Sequence, residues 1–241
     1  MSADPHSRGM DTVSRGEAAY AALRQRILTV DLAPGTVLPE AQITTMLNMS
    51  RTPVREAVAR LSYEGLVDAL PRRGIRVTPV TVRDVREINE VLACLEVEAV
   101  VGVASRALPA DAMAALDAAI AAMDAALRDG DRTSWATADF AFHSLLFDLS
   151  PNRHLRRTAR LYLEKAHRAR LLTLPLRADP VYSNSNHAAV VEAVRRGDPE
   201  TAQEIHGAHK RRWSRELDTI IERFPDLFGE APTKAGGPRH R

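Results

Sequence analysis

Apolar residues recur every three or four positions over residues 17–30, and this spacing predicts a helix with one buried face. Turn residues at 32–35 end the pattern, and a shorter helix is predicted over residues 39–47. Asn48, a residue type that tolerates left-handed backbone, precedes a third helix predicted over residues 50–64. The apolar stripe of this third helix consists of Val54, Ala57, Val58 and Leu61.

A short β-hairpin is predicted directly after the third helix. Residues 66–70 are an apolar run, and residues 75–77 alternate as a returning strand. The turn between them carries Arg72, Arg73 and Gly74, and this basic tip can lie on phosphates or in the minor groove of DNA. A helix, a tight turn, a second helix and a hairpin together predict a winged helix-turn-helix domain.

The pattern changes at residues 78–81, beyond which strand-like alternation disappears and alanine-rich amphipathic segments follow. Proline and glycine divide these segments into helices predicted over about residues 81–106, 109–130, 132–149, 151–174, 183–196 and 199–224. The chain is therefore predicted to be mainly α, with a winged helix-turn-helix domain over residues 13–79 and an all-α six-helix bundle over residues 80–228. Residues 1–12 are predicted to be a disordered lead and residues 229–241 a disordered tail.

Composition narrows the class of protein. The chain has 241 residues and a net charge of +2, and between Val13 and Val80 nine Arg face six Asp or Glu. Such a modest basic surplus favours a dimer, which doubles the phosphate contacts. Cys94 is the single cysteine, so an internal disulfide is ruled out, and a packed, reduced thiol is expected. Because the sequence has no membrane-length apolar run and no signal peptide pattern, we expect a cytoplasmic protein.

The third predicted helix has side chains suited to reading DNA. Arg51 and Arg55 lie four residues apart and share a face beside the apolar stripe, and Ser50 or Thr52 can cap the helix. Arginine can bind guanine through two hydrogen bonds, and a helix N-terminus favours phosphate. The alternative is an ordinary amphipathic surface helix, because two arginines at this spacing are common.

Residues 50–56 read Ser-Arg-Thr-Pro-Val-Arg-Glu, and Glu-Gly-Leu-Val at 64–67 and Arg73-Gly74 follow. With these motifs, residues 17–79 resemble the winged helix-turn-helix of the GntR family of bacterial transcription regulators. The resemblance implies that Arg51, Thr52 and Arg55 contact bases or adjacent phosphates, and that Gly74 lies in the wing at the minor groove. Many members also carry a DNA-contacting arginine in the second helix. Ala41 takes that place here, so operator sequence or affinity can differ from the family's usual.

Metal-ligand residue types recur in the predicted bundle. Asp139 and His143 are four residues apart on its third helix and point the same way, while His187 and His209 lie on its fifth and sixth helices. A carboxylate with imidazoles from separate helices suits a divalent metal ion. The alternative is that each histidine is a hydrogen-bonded core or surface residue.

Residues 81–222 resemble the ligand-sensing domain of the FadR branch of the same family. Many members carry an Asp-x-x-x-His pair in a Phe-His context, a later histidine, and another after a Gly-Asp break. The resemblance implies that Asp139, His143, His187 and His209 hold a divalent metal beside an effector pocket, and zinc, nickel and manganese all remain open. His206 falls where a hydrophobic residue is usual, so it is the second choice.

The effector contacts depart from the family pattern. Leu92 stands where many members have an arginine that can bind an effector carboxylate, and Asn186 stands where they often have glutamate. Either the effector lacks that carboxylate, or another cation supplies the contact. The candidate effector-binding residues are Arg86, Arg168, Arg170 and Asn186.

We therefore expect a regulator rather than an enzyme. It would be a homodimer on a palindromic double-stranded DNA operator, and a repressor released by a small-molecule effector, a carboxylate being one candidate. The alternative is a metal-dependent hydrolase whose histidine site activates water, with the basic N-terminal domain serving only to localise it. Against the hydrolase, the sequence places no general-base carboxylate near His143 and has no nucleophile motif.

Overall fold

The structure is a computed structural model that describes residues 14–229. The chain divides into two compact units between Thr78 and Pro79. The lead predicted for residues 1–12 lies outside the described residues, as does the predicted tail from residue 230 onward. Gly229, which was assigned to that tail, is instead described as a parallel β-bridge partner of Thr81.

The first unit is a three-helix domain with a small sheet. Its helices are α1 (Arg15–Leu28), α2 (Glu40–Leu47) and α3 (Arg51–Tyr63), and its strands are β1 (Val37–Leu38), β2 (Val67–Leu70) and β3 (Gly74–Val77). The sheet is antiparallel in the order β1-β3-β2. The β2–β3 hairpin is the predicted wing. Strand β1 was not predicted, because two residues are too few to show an alternating pattern.

The helix ends of this unit follow from local chemistry. Asn48 adopts left-handed backbone with φ of 51° and ends α2, as predicted. Ser50 occupies the N-cap position of α3, but its side chain makes no capping hydrogen bond, so the predicted side-chain cap is wrong. One usual donor for such a cap is the N–H of the third helical residue, and Pro53 at that position has none.

The apolar stripe of α3 packs into the core of the first unit. Val54, Ala57 and Leu61 are buried together with the apolar faces of α1 and of the sheet, while Val58 is partly buried. Burial of these side chains fixes which face of α3 is turned to solvent. The polar face that remains exposed carries Arg51 and Arg55.

The second unit contains six α-helices within the described residues. They are α4 (Val82–Ala104), α5 (Ala110–Arg128), α6 (Arg132–Leu149), α7 (Arg153–Thr173), α8 (Val181–Arg196) and α9 (Pro199–Arg223). The predicted fold class, a winged helix-turn-helix followed by an all-α bundle, is confirmed. No helix in residues 14–229 combines the length and apolar character that crossing a bilayer requires.

Side-chain caps and apolar packing define these helices. Thr81 accepts a hydrogen bond from the backbone N–H of Asp84 at 3.0 Å, and Asp198 caps α9 in the same way. Among the largest fully buried side chains are Leu92, Leu116, Met123, Trp135, Phe142 and Phe147.

The prediction about Cys94 is wrong. Cys94 is exposed rather than a core thiol, and Val91 in the same helix is 38% exposed. Both residues lie off the stripe of α4 that faces the bundle, which runs through Leu92, Glu96 and Ala99. The prediction was wrong because α4 has apolar side chains on its exposed face as well as on the face that packs against the bundle.

Gly74 at the start of β3 is required by packing inside the first unit. Its φ is +97°, and a Cβ there would collide with the backbone of Leu38 and Pro39. Gly35 offers a matched control, since its φ is +83° but a Cβ there would meet no atom within 4 Å.

We expect Gly74→Ala to destabilise the wing by roughly 3 kcal/mol or more, because it adds a backbone collision to the strained φ. Gly35→Ala should cost only roughly 1 kcal/mol, since only the strain is present. Hydrogen exchange of peptides covering residues 66–78 in the full-length protein measures both. Equal losses of protection in the two variants would contradict the close approach of Gly74 to Leu38.

Candidate metal centre and DNA-contacting surface

The N-terminal end of α3 is a basic, solvent-exposed surface. Ser50, Arg51, Thr52 and Arg55 are all exposed, and the side chains of Arg51 and Arg55 are 75% and 68% exposed. Both arginines lie near the carboxylate of Glu40, at 3.9 Å from Arg51 Nε and 3.1 Å from Arg55 Nε. The sequence-predicted DNA contacts on α3 therefore share one accessible face.

The wing tip adds further positive charge to the first unit. Arg72 and Arg73 are exposed, and Arg72 has φ of 63°, a left-handed conformation that is uncommon for a residue with a side chain. Gly74 is only half-buried, but its close approach is to Leu38 of its own domain. The predicted basic turn is present, and its glycine has a structural reason that the sequence did not indicate.

The second unit buries a cluster of ionisable side chains between its helices. Asp139 and His143 lie one turn apart on α6, and His187 comes from α8. Asp139 Oδ1 is 3.0 Å from His187 Nε2 and 3.6 Å from His143 Nε2. The three side chains are each at most 2% exposed, and their ligand atoms lie close enough together to share one metal ion.

A second carboxylate lies on the other side of His143. Glu96 of α4 places Oε2 3.3 Å from His143 Nδ1, 3.0 Å from His206 Nε2 and 3.1 Å from Lys210 Nζ. The imidazole of His143 thus stands between two carboxylates, one near each ring nitrogen. A histidine that binds a metal usually directs its other nitrogen at such a carboxylate, which fixes the ring's orientation.

His209 lies at the edge of this cluster. Its ring centroid is 4.8 Å from that of His187, but His209 belongs to neither of the two groups whose ligand atoms lie within 4.8 Å of one another. These groups are Asp139, His143 and His187, and Glu96, His143 and His206. His209 also borders a cavity of about 20 Å³, together with Ser183, Arg177 and Trp213. The structure therefore brings three of the predicted ligands together and places the fourth beside them, facing a small polar cavity.

Burial favours the neutral forms of His187, His206 and His209. Desolvation holds the pKa values of His187 and His209 well below the usual range, and neighbouring histidines lower them further. Burial also lowers the pKa of His206, although Glu96 opposes that shift. Burial alone would raise the pKa of Glu96, but His143 and Lys210 outweigh it and hold that pKa well below its usual range. The cluster therefore combines three imidazoles that favour the neutral form with an ionised carboxylate on Glu96.

The chemistry of this donor set fits a divalent ion. His143 Nε2 and His209 Nδ1 are buried without a hydrogen-bond partner, and neutral imidazole nitrogens are ligands for zinc and nickel. Asp139 adds a carboxylate, which is also ion-paired with Arg170. A buried nitrogen without a partner is costly in a protein interior, and coordination to a bound cation would supply that partner.

The four candidate effector residues fall in two environments. Arg168 and Arg170 are buried in α7, and burial lowers the pKa of each to about 10. Arg86 is half exposed, and its Nε donates to Asp218 at 2.9 Å. Asn186 donates to the carbonyl of Tyr182 in its own helix at 2.8 Å. Arg170 is in contact with Asp139, a predicted metal ligand.

Sequence reasoning missed four residues of the cluster. Glu96, Lys210 and Arg177 were not considered, and His206 was only a second choice. Glu96 is four residues after the inward Leu92, so the helical period could have indicated that a carboxylate was buried. Arg177 lies in the loop between α7 and α8, where no periodicity was available. Its guanidinium lies 4.0 Å from the centre of the Trp213 ring.

Comparison with known proteins agrees with this two-unit arrangement. A model described as "Bacterial regulatory proteins, gntR family" matches residues 15–77, and one described as "FCD domain" matches residues 87–212. The chain belongs to the GntR family of bacterial transcription regulators. It is a DNA-binding transcription regulator with a ligand-sensing FCD domain, and it is not an enzyme. The metallohydrolase alternative has no support among these relatives.

Similar GntR-family chains cover most of its length. It is 32% identical over 218 residues to an uncharacterized HTH-type regulator in an unstable DNA locus of Streptomyces ambofaciens, covering 87% of each chain. It is 42% identical over 139 residues to one in the TAR-I ttuE-ttuC' intergenic region of Agrobacterium vitis, covering 57% of this chain and 81% of that one. In fold it is similar to Escherichia coli McbR/YncC, with a TM-score of 0.75 and 22% identity over 87% of this chain and all of that one.

The pKa shifts imply that the FCD domain loses stability as pH falls. His167 of α7 is partly buried beside Phe140, outside the donor set, and this burial lowers its pKa to about 4. Its folded-state pKa lies below the unfolded value, so its neutral form is favoured in the folded state. As pH falls below the unfolded pKa near 6.5, His167 binds a proton in the unfolded chain but stays neutral in the folded chain, so the folded state loses stability.

The free energy of unfolding should fall by less between pH 7 and pH 4 in His167→Leu than in wild type. We expect a difference of roughly 3 kcal/mol, since each pKa unit is worth about 1.4 kcal/mol. Urea unfolding of chelated protein, followed by the fluorescence of Trp135 and Trp213, reports on the FCD domain. His154→Leu is the control, because His154 is exposed. An unchanged pH slope in His167→Leu would contradict the buried neutral state of His167.

Proposed function

We propose that this GntR-family chain is a metal-dependent repressor that a small organic anion releases from its operator. The observation that carries the proposal is the buried cluster in which Asp139, His143 and His187 converge beside three buried cations. A regulator would use the exposed face of α3 on DNA and this cluster as its sensor. Because it acts on chromosomal DNA, its place of action would be the cytoplasm.

The DNA-contacting residues would divide between base reading and positioning. Arg51, Thr52 and Arg55 would contact base edges or adjacent phosphates in the major groove, with Ser50 at the helix N-terminus near phosphate. Arg72, Arg73 and Gly74 would hold the wing against the backbone or the minor groove.

A homodimer on a palindromic operator follows from the small reach of one unit. GntR-family regulators bind DNA operators and typically dimerise. One short recognition helix reads only a few base pairs, whereas two-fold symmetric copies double both the base contacts and the phosphate contacts.

Asp139, His143, His187 and His209 would hold the ion in the FCD domain. Glu96 would act from behind His143, with His206 and Lys210 keeping the carboxylate in place. A bound zinc, nickel or manganese ion would supply coordination positions that an oxygen ligand can fill. The donor set of one carboxylate and three imidazoles suits each of these metals, so the metal is identified only by class.

The charge inventory around the cluster supports an anionic effector. Arg170, Arg177 and Lys210 are buried cations, and each has a carboxylate beside it, from Asp139, Glu216 and Glu96 respectively. A divalent ion would add positive charge that these carboxylates do not balance, and an anion would offset it. Arg177 supports this assignment, because its Nη1 is buried without a hydrogen-bond partner and it borders the cavity beside His209. Small di- and tricarboxylates are therefore the effector class that we propose.

A structural role for the ion is the competing explanation. In that case it would only clip α6, α8 and α9 together, and effector binding would not depend on it. Both explanations attach folding free energy to metal binding. They differ in whether release from DNA needs the ion.

We expect His187→Ala to lose the divalent ion and to lower the melting temperature of the FCD domain, because metal binding adds to folding stability. The sensing role further predicts that malonate or citrate releases wild-type protein from a DNA fragment selected by that protein, but releases neither His187→Ala nor chelated protein. Elemental analysis, thermal unfolding and an operator-release titration measure the three properties. His167→Leu is the control, since His167 is a partly buried histidine outside the donor set.

Absence of metal from natively purified wild-type protein would contradict the metal proposal as a whole. If the protein binds stoichiometric metal but the carboxylate still releases chelated protein from DNA, the ion has only a structural role. Release of the wild type by neither carboxylate would contradict the effector class while leaving the metal proposal standing.

A further inference from the structure

Glu40 links the two arginines on the exposed face of α3 to the start of α2. Arg55 Nε donates to both carboxylate oxygens of Glu40 at 3.1 Å, and Arg51 Nε lies 3.9 Å from the same carboxylate. Glu40 is the first residue of α2 and its side chain is 34% exposed, about half the exposure of its two partners. One carboxylate therefore stands beside both arginines that are expected to read DNA.

The contact engages one edge of the Arg55 guanidinium and leaves the other edge open. Among residues 14–229, the hydrogen bonds of the Arg55 side chain are made by Nε, so both Nη groups remain available. The Nη edge is suited to the O6 and N7 acceptors of guanine, which need two donors at a fixed spacing. A side chain held by Nε loses less conformational freedom when it binds a base.

We propose that Glu40 is a positioning residue that makes Arg55 selective for its base pair. It would hold the Nη edge of Arg55 toward the groove in the free protein. Its negative charge would also weaken binding to DNA of any sequence, because it offsets the charges of Arg51 and Arg55. This inference rests on the proposed base contact of Arg55.

A purely structural role for the pair is the competing explanation. Ion pairs as exposed as this one contribute little to folding stability. The Glu17–Arg60 pair of the same domain has a similar form, with a distance of 2.7 Å and side chains 51% and 49% exposed. Glu17→Gln therefore removes the same charge from an exposed pair whose arginine lies at the opposite end of α3, and it is the matched control.

The test is in vitro selection of double-stranded DNA from a random pool with full-length protein. The variants are wild type, Arg55→Ala, Glu40→Gln, Glu40→Asp and Glu17→Gln, with binding isotherms on the selected and scrambled DNA. We expect Arg55→Ala to lose base preference at particular positions of the selected motif. Glu40→Gln should lose preference at those same positions and lower the operator-to-scrambled affinity ratio roughly tenfold.

The remaining variants separate charge from orientation. Glu40→Gln should bind scrambled DNA more tightly than wild type, because an opposing charge has been removed. Glu40→Asp keeps that charge but shortens the reach to Arg55, so it should lose base preference without the gain in non-specific binding. Glu17→Gln should keep the wild-type motif.

Each outcome separates this inference from the function it rests on. If wild type selects no motif, sequence-specific reading itself fails. If Arg55→Ala changes the motif and Glu40→Gln does not, positioning by Glu40 is overturned. A loss of preference by Glu40→Gln at positions that Arg55→Ala leaves intact would mean that Glu40 contacts a base directly, which also overturns it. Equal melting temperatures of Glu40→Gln and wild type show that the readout is not an unfolding effect.

Discussion

The helical domain is organised by the need to bury an imidazole between two carboxylates. His143 lies near Asp139 through Nε2 and near Glu96 through Nδ1, and each carboxylate has a buried cation beside it, Arg170 and Lys210. Buried charges are tolerated only when they are paired, so α4, α6, α7 and α9 must keep their relative positions for any of these contacts to exist. The packing of the apolar core and the geometry of the proposed metal site therefore depend on each other.

That arrangement explains how a single cluster can serve both folding and sensing. A donor set built on several helices ties them together when it is filled, and the same helices pack on the buried core around Trp135 and Phe142. His209 and Arg177 lie at the side of the cluster that borders a cavity, so a ligand arriving there would meet a nitrogen ligand and a guanidinium together. Sensing in this account needs no element beyond those that stabilise the bundle.

Much of the fold could be predicted from the sequence, because helical spacing and turn residues act locally. The six helices of the bundle, the order of the winged helix-turn-helix and the left-handed Asn48 all follow from residues within a few positions of one another. Pairings between distant residues could not be predicted. Glu96 meets His206 across 110 residues, and Glu40 meets Arg55 across 15, so neither contact leaves a periodic signal. The four metal candidates came from residue type and helical spacing together with family resemblance, whereas the structure adds the residues packed around them.

The measurement that tests the account most directly is a crystal structure of natively purified protein with anomalous data collected at the absorption edge of the metal found by elemental analysis. The account predicts one anomalous peak per chain within bonding distance of Asp139 Oδ1, His143 Nε2 and His187 Nε2, with Glu96 facing His143 from the other side. A metal-free cluster, or an ion bound instead to Glu96 and His206, would contradict it.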